Sequence, residues 1–226
     1  VAPLLLAWGC ASAQVTLNRP DALDNPSRHA WNLFLMLNHP AKDVKQGRGQ
    51  PDLTKKFGAP GTTTVWETWR LARTEVFLPQ GKPPPKDFND LSLPGGSMAK
   101  VPEPTKAQLL KEAVANPPVP GALKPLFDPV DGVFECAGGF GETRMNKSTY
   151  DFIVQNGLYS LEGQSRFAAD YVAGKKLNLS FPVDSIEVKA AWVQFDNAEL
   201  AANKDKTFYS IRHDGKVYGL AALHII

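Results

Sequence analysis

Hydrophobic and polar positions alternate most regularly toward the end of the chain. In "SIEVKAAWVQF", Ile186, Val188, Ala190 and Trp192 fall on one side of a two-residue period and Glu187 and Lys189 on the other. That is the pattern of a strand with one buried face. "TFYSIRHDGKVYGLAALHII" reads as a hairpin turning at Asp214-Gly215, with a nearly all-apolar second limb that belongs inside a sheet. A two-residue turn places His224 on the face of Tyr218 and Leu220, with Tyr209 opposite Leu220. Upstream, Glu142, Arg144 and Asn146 alternate with Thr143 and Met145, again at the strand period. Ser148 or Thr149 then caps a helix through "YDFIVQN", which Gly157 closes.

The N-terminal half has helical spacing instead. In "DNPSRHAWNLFLMLNHP", Asn25 caps, Pro26 suits the first turn, and Trp31, Phe34, Leu35 and Leu37 form a core-facing stripe. His39-Pro40 ends the helix, because the residue before proline is pushed out of helical space. Thr62 to Val65 favour a strand, and Trp66 to Arg70 suit strand or helix. A helix would put Trp66 and Trp69 on one face, as core or cleft wall. Twelve of the nineteen prolines lie between Pro79 and Pro129, a density that forbids regular sheet and long helix. One helix is expected inside that section, behind the Thr105/Gln108 capping box. The remainder reads as an ordered excursion anchored by Phe88, Leu91, Leu93, Leu126 and Phe127. The expected fold is α+β, with an antiparallel sheet in the C-terminal half and the helices and Pro-rich excursion packed on it. It spans 14–226 as a single domain, with the excursion at 79–129.

Composition narrows the possibilities. A chain of 226 residues that is 43% apolar and 21% charged, with a net charge of +2, is long enough to bury a sizeable core. Its bases do not run together with aromatics, so a nucleic-acid groove has no support. The pairs Lys55-Lys56 and Lys175-Lys176 read as solvated surface. No apolar run approaches the ~20 residues of a transmembrane helix. "VAPLLLAWGCASAQ", however, has the apolar core of a secretory signal, and Ala11-Ser12-Ala13 fits its small-residue cleavage site. Residues 1–13 therefore read as a signal remnant and the mature chain as periplasmic or secreted. Lipoprotein processing at Cys10 is the alternative, poorly served by Trp8, and a short buried helix or strand is another.

Candidate chemistry is sparse. "CAGGFG" lacks the G-K-[ST] ending of a phosphate loop, there is no G-x-S-x-G, and a lone Cys136 reads as a small buried hydrophobe. The four histidines, His29, His39, His213 and His224, show no metal-ligand spacing, so no metal is expected. Three polar groups remain. Glu142-x-Arg144-x-Asn146 would line up about 6.5–7 Å apart on one strand face, offering a planar guanidinium to a substrate carboxylate or other anion. Trp66 and Trp69 would form the aromatic wall of that site, and an Arg144→Ala chain is expected to fold but lose its ligand. Glu187, beside Lys189, becomes a proton-transfer candidate if its face is covered. His224 is the third, as a hydrogen-bonded core residue or a proton carrier.

At "VWETW…EVFLP", "ETRMNKSTYDFIVQNGLY", "FPVDSIEVKAAW" and "YGLAALHI" the chain resembles a family of exported bacterial proteins often labelled cytochrome c family proteins. The resemblance runs from residue 27 to 226 apart from the Pro-rich section. In that family a Trp/Phe-Glu-His segment and one C-x-x-C-H haem-attachment motif follow. Neither falls within this chain, so no haem ligand carries over and haem belongs only to a segment after Ile226. The resemblance implies the body of a periplasmic redox protein with an electron-transfer partner. The residues themselves suggest a small-molecule or anion-binding domain. A periplasmic hydrolase or lyase on a carboxylated glycan is the competing expectation.

Overall fold

A computed structural model of the chain describes residues 19–59, 61–93, 140–175, 179–196, 198, 200, 208–213 and 216–226. The expected signal remnant, the Thr105/Gln108 helix, Cys136 and the Asp214-Gly215 turn lie outside them. The fold is α+β, with helices and a five-stranded antiparallel sheet whose long strands all lie in the C-terminal half. The chain divides into two compact units, residues 1–68 and 69–226.

In the first unit, helix α1 (Arg19–Asp24) is followed by α2 (Pro26–Leu37). Asn25 caps α2 as expected, its side chain accepting the Arg28 N–H at 3.0 Å, and Asn38 ends it by donating to Phe34 O. The expected core stripe is corrected: only Leu37 is buried, while Trp31, Phe34 and Leu35 face solvent, Trp31 at 65% exposure. An apolar stripe marks where a helix can be covered, and burial needs an element lying against it. Thr62 to Val65 form no strand, only a bridge from Thr64 to Pro40. There Glu67 takes the Thr64 N–H (2.9 Å) and hydroxyl (3.0 Å) on its carboxylate, tightening the segment into a turn. Trp66–Thr68 is one turn of 3-10 helix. Trp66 is fully buried, with its indole N–H on Asn38 Oδ1 at 3.3 Å.

The second unit is built on the sheet β1 (Arg70–Leu71), β2 (Phe140–Met145), β3 (Glu187–Gln194), β4 (Ser210–His213) and β5 (Lys216–Ile225), in the order β1-β2-β3-β5-β4. The apolar limb β5 sits inside the sheet, and His213 pairs with Lys216 across the hairpin, both as its sequence implied. Opposed residues share a face. Leu71, Arg144 and Val188 therefore line up on one side, with Glu142 and Ala190 next to them. Met145 and Glu187, then Thr143, Lys189 and His224, take the other.

One register detail moves a candidate residue. Pairing passes from Ala191↔Ala222 to Trp192↔Leu220, leaving Ala221 as the extra residue of a β-bulge. A bulge reverses the alternation beyond it. His224 therefore lies on the face opposite Tyr218 and Leu220, and shares Glu187's side instead. The same-face expectation assumed an unbroken two-residue period, which the bulge ends.

Two helices complete the unit, α3 (Lys147–Gln155) and α4 (Leu161–Val172). Asn146, rather than Ser148 or Thr149, caps α3: its Oδ1 accepts from Thr149 N (3.0 Å), Thr149 Oγ1 (3.0 Å) and Ile186 N (3.2 Å). β2 runs so directly into α3 that the residue immediately after the strand, Asn146, becomes the cap. Gly157 closes α3 with φ +68°, and Ser160 caps α4 by accepting Gly163 N at 3.1 Å. A Cβ on Gly163 would fall 1.7 Å from the Gly157 carbonyl oxygen, so only glycine permits this corner. Helix α4 went unanticipated, although Ser160 and Gly174 flank it.

The first part of the Pro-rich section is ordered against the β1 edge. Arg70, fully buried, bonds the carbonyls of Asp87 (2.9 Å) and Asp90 (2.8 Å), pairs with Glu75 at 3.2 Å, and lies over the Tyr150 ring. Phe88 is buried with its ring edge-on to Tyr150, whose hydroxyl donates to Pro85 O. Leu91 is exposed.

Candidate functional site

Arg144 and Glu142 occupy the closed face of the sheet. Arg144 is 1% exposed; its Nε donates to Glu142 Oε2 at 3.0 Å and its Nη1 to the Trp69 carbonyl at 2.9 Å. The other Glu142 oxygen accepts the Trp192 indole N–H at 2.9 Å. Arg144 Nη2 has no hydrogen-bond partner among the described residues. The arrangement is a buried ion pair that closes β1, β2 and β3 on one another. Buried pairs of this kind are costly to break and add little over apolar packing. Asn146 is spent as the α3 cap, and its Nδ2 donates to Asp184 O at 2.6 Å. Trp69 is 5% exposed and meets Arg144 through its backbone. Trp66 falls in the first unit. The structure therefore brings Arg144, Glu142 and the Trp69 backbone together, away from solvent.

The opposite side of the sheet is covered at its β1 end, where Arg70 and Met145 are buried, and opens toward Lys189 and His224. There α3, α4, the 179–181 segment and Phe77 enclose a groove of about 600 Å³. Its walls are Ile153 and Leu158 from the α3 end, Phe167, Ala168 and Tyr171 from α4, then Leu179, Phe181 and Phe77. Phe167 and Tyr171 are one helical turn apart and so share a face. Phe181 is held by its contact with Phe152, ring centroids 4.6 Å apart. Among the described residues, three side chains with polar atoms reach the lining: Gln164, Glu187 and Tyr171. Gln164 donates to Leu158 O at 2.8 Å and is internally occupied. Glu187 is left as the one carboxyl among the described residues of this mostly apolar cleft.

The Glu187 carboxyl responds to that setting. Burial raises its pKa above the ordinary glutamate value, and the Lys189 charge pulls partly back. Among the described residues its carboxylate accepts no hydrogen bond, nor do the Lys189 ammonium or His224 ring take a hydrogen-bond or ion-pair partner. Lys189 and His224 are exposed and directly opposed across β3 and β5. Glu187 and His224, singled out from separate segments of the chain, thus come to one face. Most of the lining was missed by sequence reading. The visible clues were the Ser160 cap and the Phe167/Tyr171 spacing.

Among the described residues, no three of His, Cys, Asp and Glu gather as a metal site, and no helix is long and apolar enough to cross a membrane. Comparison of the chain with protein-family models, curated proteins and solved structures found no match.

Proposed function

We propose that this chain is an exported domain that binds a small molecule with an apolar body in the groove between α3, α4 and the sheet. In the whole protein it would serve as the body of a periplasmic, c-type cytochrome-like redox protein. The observation that carries the binding reading is the groove itself: about 600 Å³, walled by aliphatic and aromatic side chains, with the single free carboxyl of Glu187. Its size falls within the usual range for ligand sites, ~300–1,000 Å³, and one or two polar groups in an apolar wall are their common design. The redox and export parts rest on the family resemblance and the signal-like N-terminus. The chain's two cysteines form no C-x-x-C-H, and no His or Met lines the groove. These residues do not suit haem, and no step is assigned through it.

The hydrolase or lyase reading is less well served. A carboxylated glycan is polyhydroxylated and calls for a polar cleft, whereas this lining is mostly aliphatic and aromatic, with Glu187, Gln164 and Tyr171 its only described side chains that carry polar atoms. The test is fluorescence of 1-anilinonaphthalene-8-sulfonate with the native chain and Ala168→Trp, a change that fills the groove from an exposed helix position. The expected result is saturable enhancement with the native protein and its loss in the variant. Equal binding by both would sink the assignment of the groove.

A further inference from the structure

Building on the groove as the ligand site, we propose that its ligand is a carboxylate amphiphile: the apolar body lies in the groove, and the carboxylate is held at the open end by Lys189 and His224. The proposal stands on where the sheet register puts these residues. Lys189 and His224 are paired across β3 and β5, and Thr143 faces Lys189 from β2. This row lies one step along the same face from Glu187, which is in the groove wall.

Charge complementarity sets the class of head group. The described cations of α3, α4 and the turn after α4 are already engaged elsewhere: Lys147 with Asp151, Arg166 with Glu162 at 4.0 Å, and Lys175 with Asp170 at 3.5 Å. Lys189 has no such hydrogen-bonded partner among the described residues, only the nearby charge of Glu187. His224 adds a second donor and the Thr143 hydroxyl a third. Burial raises the pKa of the Glu187 carboxyl, which weakens its competition with a ligand anion for the Lys189 charge. Small residues, Gly141, Ala191 and Ala222, form the next row of the face, so nothing bulky crowds the head group from that side.

The experiment is calorimetric titration of the full 226-residue chain with decanoate, decanol and decylamine, which share one tail length. Decanoate should bind about tenfold tighter than decanol, the worth of one charge-assisted hydrogen bond at a partly exposed site. In Lys189→Ala/His224→Ala, two exposed positions whose loss leaves the core intact, that preference should vanish, so that decanoate binds no tighter than decanol. Equal affinity for decanoate and decanol, or tightest binding of decylamine, overturns the carboxylate head group and leaves the groove assignment standing. Binding of no amphiphile, or equal binding by Ala168→Trp, overturns the groove assignment and the present proposal together.

Discussion

The two faces of the sheet carry nearly the same polar motif and use it in opposite ways. On β2, Glu142-x-Arg144 points to the closed face; on β3, Glu187-x-Lys189 points to the open one. Both place an acid two residues before a base on one strand face. Glu142 and Arg144 satisfy each other, with the Trp192 indole and Trp69 carbonyl adding hydrogen bonds. Glu187 and Lys189 make no hydrogen bond to one another, and the carboxyl borders a groove. Where water is excluded, the motif becomes a structural lock, since an unpaired charge there would be intolerable. At the edge of an apolar cleft that water can enter, the same motif leaves its polar atoms without protein partners among the described residues.

Cutting one partner from the closed pair tests this contrast most severely. Arg144→Ala should lose about 3–5 kcal/mol of stability in urea unfolding, because the Glu142 charge is left buried. This reverses the expectation of a folded but ligand-free variant. Replacing both residues together, Glu142→Leu with Arg144→Met, should recover most of the loss. A cost below about 1 kcal/mol for Arg144→Ala would show that face to be open to water. Next in size is Trp192→Phe, which removes the donor to Glu142 Oε1 and should cost about 1–3 kcal/mol in the same measurement.

Changes on the open face should be far milder. In Glu187→Gln the effect depends on pH. Because burial raises the folded-state pKa, the native chain holds a proton that the unfolded chain has already released, and wild-type stability falls as pH rises through that raised value. Glutamine cannot ionise, so the variant should gain on the wild type as pH rises above the ordinary glutamate pKa of 4.5. A melting-temperature gain of about 1 °C is expected, kept small by solvent screening of a half-exposed group. A gain that shrank with rising pH would contradict the raised carboxyl. Smallest of all, Lys189→Ala should move stability by less than about 0.5 kcal/mol. Set beside Arg144→Ala, it measures how far two similar motifs have diverged.

Much of the local structure was legible in the chain. The Asn25-Pro26 start of α2, the buried Val188, Ala190 and Trp192 set, the alternation through β2 and the hairpin of β4 and β5 all follow from caps and periods within a few residues. The exposed stripe of α2 did not, because nothing in residues 26–37 specifies what lies against them. Nor did the side of His224. A single extra residue at Ala221 reverses the alternation, and the only nearby cue is Gly219 two residues earlier, which packs against Phe195. The groove was least legible, since its walls come from Phe77, α3, α4, Leu179 and Phe181, brought together only by the fold.

By itself, then, the sequence determined what short-range physics controls: where helices begin and end, which residues alternate on a strand, and which charges share a face. Tertiary structure alone decided which face was sealed. The penalty for an uncompensated charge depends on the water around it, and that is set by segments distant in sequence. Glu142 and Arg144 were thereby made part of the core, and Glu187 the polar end of a cleft.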